Sequence, residues 1–522
     1  MISRTKNLTR NVTVGLLAEL FLYLLSFAYR TVFIRILGIT YLGAQGLFGN
    51  ILNLLSFAEL GVGNAILFSL YKPLAEKNFA RVGILMKTFR NIYMIIGVFV
   101  LLSGVILTPF LSSFIKGDPG IEYSELKTIY LFFVFDSAST YFFAYKKTLF
   151  TADQRDYINI VWTTAFSLLS TLFQLIFLIL TKAFIVTLII KILYTLLGNV
   201  YVSIRASREY KEVFLAGKHL AAGKDFYRDL YRKIAALVMH KAGALAISST
   251  DNILISKFIG FDIIGIYANY TLIVGIVRSV FNRIIPAAMA SVGNLTASSS
   301  VGYARKTFAL LDFAYYWMYL FCSIALYILV NPFIGLWFGK GFLLDDLTMS
   351  TIAISFYMTG RRQNTLTFRN ALGLFWNDRY KPIIEALAKL FFSILLLHRF
   401  GISGIFLGTI ISSLLTSTWV EPYVLFKNYF QENVLSYLLQ RLLQAVELVS
   451  IALFINLLSP IVSDKGWPGF ILLAFAVVLI TNGLFIIRYR KKEELKQLVG
   501  LFSNIMKTHI KEKRVLGHEL NK

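Results

Sequence analysis

Long apolar runs recur from one end of this chain to the other, roughly fourteen stretches of about 20 residues. That is the length a helix needs to cross the hydrocarbon layer of a membrane. Such runs leave little choice of structure. In lipid every backbone N–H and C=O must be satisfied within the element, so only helices or closed barrels span. Barrel strands read as short alternating segments, not as continuous apolar ones. The expectation is an all-α integral membrane protein, with spans near residues 12–36, 43–71, 91–113, 125–147, 157–180, 184–206, 236–259, 263–290, 306–330, 348–372, 380–399, 402–425, 439–463 and 468–489. A mean hydropathy of +0.67 with only 15% charged residues agrees with that reading. "MISRTKNLTRN" leads straight into a span too long for a signal-peptide core, so the first helix is expected to stay as an anchor.

A net charge of +24 invites a nucleic-acid reading, but the basic residues fall in alternate loops, as the positive-inside rule requires. Arg4, Lys6 and Arg10 precede the first span, and Lys72, Lys77, Arg81, Lys87 and Arg90 follow the second. Residues 205–233 and the tail from Arg488 to Arg514 are richer still, whereas the intervening loops hold about one basic residue each: Lys116, Lys182, Lys340 and Lys465. The expected protein is multi-pass in the cell membrane with both termini cytoplasmic, and nucleic acid is not among its partners. The basic tail reads as a topology signal or as a binder of anionic lipid. Cys322 is the only cysteine, which excludes an intrachain disulfide. HExxH, Walker, GxSxG and metal-spaced Cys/His patterns are missing from the sequence, and the outward loops are short. Neither an enzyme nor a cofactor is expected.

The halves of the chain repeat. "ILGITYLG" ending at Gly43 matches "FIGFDIIG" ending at Gly265, and "KTF" at Lys87 matches "KTF" at Lys306. "PFLSSFIKG" from Pro109 matches "PFIGLWFGKG" from Pro332, and "DQRDY" ending at Tyr157 matches "WNDRY" ending at Tyr380. Four matches in the same order, 219 to 223 positions apart, imply duplication. Six spans per copy is an even number, so the two copies run parallel and two further helices follow them. The expected organisation is an N-lobe at 1–206, a cytoplasmic linker at 207–235, a C-lobe at 236–430, two extra helices at 431–489 and a basic tail at 490–522. Transporters that rock about a midplane site are built this way.

Helical spacing marks which faces are polar, since residues at i, i+4, i+7 and i+11 share one side. The first span carries Glu19, Tyr23, Ser26 and Arg30; the seventh carries His240, Ala244, Ile247 and Asp251. Charge thus sits 11 residues apart in both, with the signs exchanged. The eighth span shows Thr271, Gly275, Arg278 and Asn282, and the second shows Gly49, Asn53 and Ser56 with Glu59 nearby. A charge at the bilayer centre costs on the order of 3 kcal/mol, so these groups imply a hydrated or paired interior. Arg30 and Arg278 read as anion ligands or as structural ion pairs. Arg361, Arg362 and Arg369 in the tenth span read either as cleft residues or as snorkelling helix-end residues. Lys191 with a nearby acid, and Glu385 with Lys389 on one helix face, read as pairs that hold helices in register, and Glu421 and Glu447 read in the same structural way. Glu19, Glu59, Asp136, His240 and Asp251 are the coupling or gating candidates.

"RTVFIRILGITYLGAQGLFGNILNLLSFAELGVGNAILFSLYKPLAE", Arg30 to Glu76, resembles the first two helices of Wzx-type polysaccharide flippases of the polysaccharide transporter family. These belong to the multidrug/oligosaccharidyl-lipid/polysaccharide exporter superfamily. The resemblance implies translocation of undecaprenyl-diphosphate-linked oligosaccharide to the outer leaflet for capsule or exopolysaccharide synthesis. It also implies a cationic cavity lined by the first, second, seventh and eighth helices, where Arg30, Arg35 and Arg278 lie. The substrate-binding set expected on both grounds is Arg30, Arg35, Arg278, Arg362, Tyr23, Asn53 and Asn282, since guanidinium groups hold a diphosphate through paired hydrogen bonds. Expected partners are that lipid-linked substrate, membrane lipids, a coupling proton or sodium ion, and polymerase or chain-length machinery. A multidrug or small-cation exporter, and a membrane polysaccharide polymerase or ligase, are the alternative functions.

Overall fold

The apolar runs fold as helices. The computed structural model describes residues 2–59, 62–217, 223, 227, 228, 230, 234, 249–298, 300–374, 377–458 and 466–500, with the side chains of residues 2–13, 16, 58, 64 and 282–298 outside that description. Among the described residues all regular structure is helical. The main helices are α1 (Ile2–Leu37), α2 (Ile39–Leu55), α3 (Val62–Ala75), α4 (Phe79–Leu107), α5 (Tyr123–Ala152), α6 (Tyr157–Thr181), α7 (Phe184–Glu209) and α8 (Phe261–Ser298). They continue with α9 (Val301–Trp337), α10 (Asp346–Arg361), α11 (Gln363–Ala371), α12 (Lys381–Phe400), α13 (Ile402–Leu415), α14 (Ser417–Leu425), α15 (Leu435–Leu458) and α16 (Gly466–Tyr489). Among the described residues nine helices are long and apolar enough to cross a membrane. Their outward faces stay apolar, with Leu457 77% exposed and Leu180 72%. Lipid suits such faces and water does not. The chain is an all-α membrane protein.

Three expected spans are broken. The second is divided into α2, a 3₁₀ turn at Ser56–Glu59 and α3, at a stretch reading Glu-Leu-Gly-Val-Gly, where glycine disfavours continuing a helix. The tenth divides at Arg362 into α10 and α11. The twelfth divides at Thr416, with φ −128° and ψ −85°. There the Thr416 hydroxyl bonds back to the Ser412 carbonyl at 2.6 Å, and Pro422 removes a backbone donor in the next turns.

Contacts group the chain into two units, residues 1–283 with 382–405 and residues 284–381 with 406–522. The first unit joins α1 to α7, the start of α8 and most of α12. Its core is an apolar cluster of α3, α4 and α5 built on Ile66, Leu70, Val82, Phe89 and Leu149, while α6 packs against α1 and α7. Glu59 sits at the end of the broken second span and accepts a hydrogen bond from Tyr93 Oη at 2.6 Å. A phenol is therefore its partner, which reconciles a carboxylate with its apolar surroundings. Within this unit Lys389 of α12 pairs with Asp251 at 2.7 Å.

The second unit is centred on α9, which packs against α10, α15 and α16. Phe308, Phe368, Phe426 and Phe430 form its aromatic core. A buried charge cluster ties α9, α10 and α15 together: Arg361 reaches Asp312 at 2.8 Å and Gln444 at 2.8 Å, and Arg441 reaches Asp312 at 3.3 Å. Another joins Glu421 to Arg362 at 2.6 Å and to Lys381 at 2.5 Å. Arg369 pairs with Asp378.

Candidate functional site

The first unit encloses a cavity of about 600 Å³ walled by α1, α2, α5, α6, α7 and the start of α8. Its lining is unusual for a segment-rich membrane interior. Helix α6 contributes Thr163, Ser167, Ser170 and Gln174, which fall at i, i+4, i+7 and i+11 and so form one polar stripe on a mostly apolar helix. Gln174 donates to Ser170 at 2.8 Å. Helix α7 adds Lys191, Thr195 and Asn199, and α2 adds Gln45. This hydroxyl and amide surface suits a hydrated polar ligand.

Two cations face the cavity. Arg30 of α1 donates through Nη1 to the Ala268 carbonyl at 2.5 Å and to Asn269 Oδ1 at 3.5 Å. Both acceptors are neutral groups of α8, and among the described residues no carboxylate pairs with this guanidinium. Lys191 differs: it pairs with Asp136 at 3.0 Å and lies 4.9 Å from the centre of the Phe133 ring. No carboxylate is among the cavity's described lining residues, so Lys191 is balanced from behind while Arg30 is not. A guanidinium held only by neutral acceptors keeps its charge without a counter-ion among the described residues, an arrangement with which an anionic ligand is compatible.

The other expected site residues are distributed widely. Tyr23 and Glu19 are half-buried on α1, and Arg35 is exposed at its end. Asn53 is exposed on α2. Arg278 is exposed on α8, two turns beyond the cavity-lining Thr271 and on the same face. The Asn282 side chain and His240 lie outside the described residues. Asp136 backs the cavity through Lys191, Asp251 is held by Lys389, and Glu59 by Tyr93. Arg362 belongs to the second unit, on Glu421. The same i, i+4, i+7, i+11 spacing, applied to the fifth span, picks out the α6 stripe Thr163, Ser167, Ser170 and Gln174. Being uncharged, the stripe carries no signal of the kind that marks Glu19, Arg30 or Arg278.

No protein-family model matches the chain, and no curated protein matches it in sequence. Solved structures do match in shape. The lipid II flippase MurJ in an inward closed conformation superposes with a TM-score of 0.66 at 12% identity, over 92% of this chain and 99% of that one. An inward-facing multidrug resistance MATE family transporter of the MOP superfamily gives 0.61 at 14% identity, over 78% of this chain and 94% of that one. A MOP superfamily transporter from Pyrococcus furiosus, described as having a binding pocket of reverse polarity, gives 0.55 at 13%, over 79% and 93%. The chain shares one helical fold with a lipid II flippase and with multidrug transporters of the MOP superfamily.

Proposed function

We propose that this protein is a flippase that turns undecaprenyl-diphosphate-linked oligosaccharide from the cytoplasmic to the outer leaflet, for capsule or exopolysaccharide synthesis. Arg30 carries the reading: a guanidinium held by neutral groups, facing a polar cavity whose described lining has no carboxylate. A diphosphate supplies the missing counter-charge, and the α6 hydroxyl and amide stripe supplies donors and acceptors for sugar hydroxyls. The fold shared with a lipid II flippase supports the same class of cargo. Both termini are cytoplasmic in this reading, the N- and C-lobes follow the sequence repeat, and no catalytic step is required of the protein.

The experiment is depletion of the protein followed by chemical identification of the lipid-linked glycan held on the inner leaflet, with complementation by wild type and by Arg30→Gln. Accumulation relieved by wild type alone supports the proposal. Full relief by Arg30→Gln refutes the anion role of Arg30.

A second reading, export of drugs or small cations, draws support from Asp136. Its Oδ1 is buried without a hydrogen bond among the described residues while Oδ2 holds Lys191, an arrangement open to cation exchange. Drug hypersensitivity on depletion, without glycan accumulation, is the outcome that favours it.

A further inference from the structure

The ends of α4, α5 and α7 meet the short helix Lys211–Ala216 around a groove of about 410 Å³. Four cations line it, Lys87, Arg90, Lys146 and Lys211, together with the Ser207 hydroxyl, and no carboxylate is among its described lining residues. The groove shares no residue with the cavity around Arg30. We propose that it binds the phosphate-ester headgroup of an anionic phospholipid.

The groove is built rather than incidental. Lys146 donates to Ser207 Oγ at 2.8 Å and lies 5.8 Å from the Tyr145 ring centre and 5.7 Å from that of Phe214. Its ammonium is thus fixed on an aromatic floor beside a hydroxyl. Arg90 lies within electrostatic reach of the same ammonium, so two like charges are kept together, a repulsion that a bound anion relieves. The wall carrying Lys211 is held close because Gly83 of α4 meets Gly217 and the Val213 carbonyl backbone to backbone: a Cβ on Gly83 would stand 2.6 Å from that carbonyl oxygen. Val213 itself is fully buried against α4.

Position selects the lipid as the source of the phosphate. The cations sit near helix ends that also present exposed apolar side chains such as Leu215; Lys87, Arg90 and Lys211 belong to the segments that the charge bias assigns to the cytoplasmic side, and Lys146 lies at the cytoplasmic end of the expected fourth span. Basic pockets between membrane helices on that side are suited to anionic headgroups, with each cation near the surface contributing about fivefold in affinity.

The full-length protein in detergent is titrated with short-chain phosphatidylglycerol, with short-chain phosphatidylcholine and with inorganic phosphate, and binding is read by native mass spectrometry. Phosphatidylglycerol is expected to bind in preference to phosphatidylcholine. Arg90→Gln, an exposed position, is expected to weaken it about fivefold and Lys87→Gln/Arg90→Gln/Lys146→Gln about a hundredfold. Lys87→Arg/Lys146→Arg is expected to retain it, which separates loss of charge from loss of fold. Equal binding of the two lipids, or a triple Gln variant that remains folded and binds as wild type, overturns the proposal. Saturation by inorganic phosphate at the concentrations that suffice for phosphatidylglycerol overturns the assignment to lipid.

Discussion

Gly43 and Gly265 are reciprocal. A Cβ on Gly43 would stand 2.6 Å from the carbonyl oxygen of Phe261, and a Cβ on Gly265 would collide with the carbonyl oxygen of Ile39. Each glycine therefore meets the backbone four residues before the other, and both sit where "ILGITYLG" and "FIGFDIIG" align in the repeat. Thr40 Oγ1 adds a 2.7 Å hydrogen bond to Asp262 Oδ1, again between repeat-related positions. The crossing of α2 and α8 has the exchange symmetry expected of two parallel copies, and small residues at the contact let the backbones close.

Gly43→Val and Gly265→Val are each expected to lower stability, because an added side chain must force the crossing open at a cost of about 1–3 kcal/mol. The double variant is expected to lose less than the sum, since the first substitution has already parted the helices. Thermal unfolding of the purified protein in detergent checks both statements, and strict additivity contradicts the shared contact.

Arg30→Lys is expected to recover only a small part of the translocation lost in Arg30→Gln. The guanidinium uses Nη1 to hold the Ala268 carbonyl and Asn269 Oδ1; in the proposed role the rest of its fork is what the diphosphate would meet. An ammonium spends the same charge on one point and lacks the paired geometry a diphosphate accepts. A charge-assisted bond contributes about 1.5–3 kcal/mol, so roughly a tenfold to hundredfold loss in transport rate is expected for Arg30→Gln. Leaflet-resolved assays of lipid-linked glycan measure it, and equal rates for Lys and wild type contradict the bidentate role.

Much of this arrangement was legible in the sequence, and the reasons differ by feature. Helices and the duplication were readable because bilayer thickness sets run length and because the repeat keeps Gly43, Gly265, Pro109 and Pro332 in step. Helix breaks at Glu59 and Thr416 were not, since a run can stay apolar across a kink while hydroxyls such as that of Thr416 bond back to the preceding turn. Pairing was partly readable. Lys191 pairs with an acid, Asp136 of α5, and Lys389, expected to pair with Glu385 on its own helix face, also reaches Asp251; both acids lie on other segments of the chain, where spacing along one helix carries no information. The cavity's character was hidden for a related reason: the Arg30 partners are a backbone carbonyl and an amide of α8, which leave no charge pattern to read.

Glu421→Gln is expected to destabilise the second unit by about 3–5 kcal/mol, the range for breaking a buried ion pair by removing one partner. The carboxylate is fully buried, with Arg362 at 2.6 Å and Lys381 at 2.5 Å, so one substitution removes the acid from both cations. Arg362→Gln is expected to matter less, because Lys381 still neutralises Glu421. Unfolding midpoints of the two variants provide the comparison, and a larger effect for Arg362→Gln reverses the assignment of Arg362 to this structural cluster.

Asp251 offers a test that separates structure from transport. Its partner is Lys389, at 2.7 Å and itself only 3% exposed in its side chain, so Asp251→Lys or Lys389→Asp alone places two like charges in contact and is expected to lower stability by about 3–5 kcal/mol. The double exchange restores an ion pair of the same size, and stability is expected to return to within about 1 kcal/mol of wild type. Transport is expected not to return. Arg30 lies at the position in the first helix that matches this region of the repeat with opposite charge, and under the proposed transport cycle an acid at 251 is the group it would meet if the helices rearrange; a lysine there would repel it instead. Measuring unfolding and glycan translocation on the same three variants decides the matter, since recovery of both means that Asp251 serves only to hold α12 and takes no part in the transport cycle.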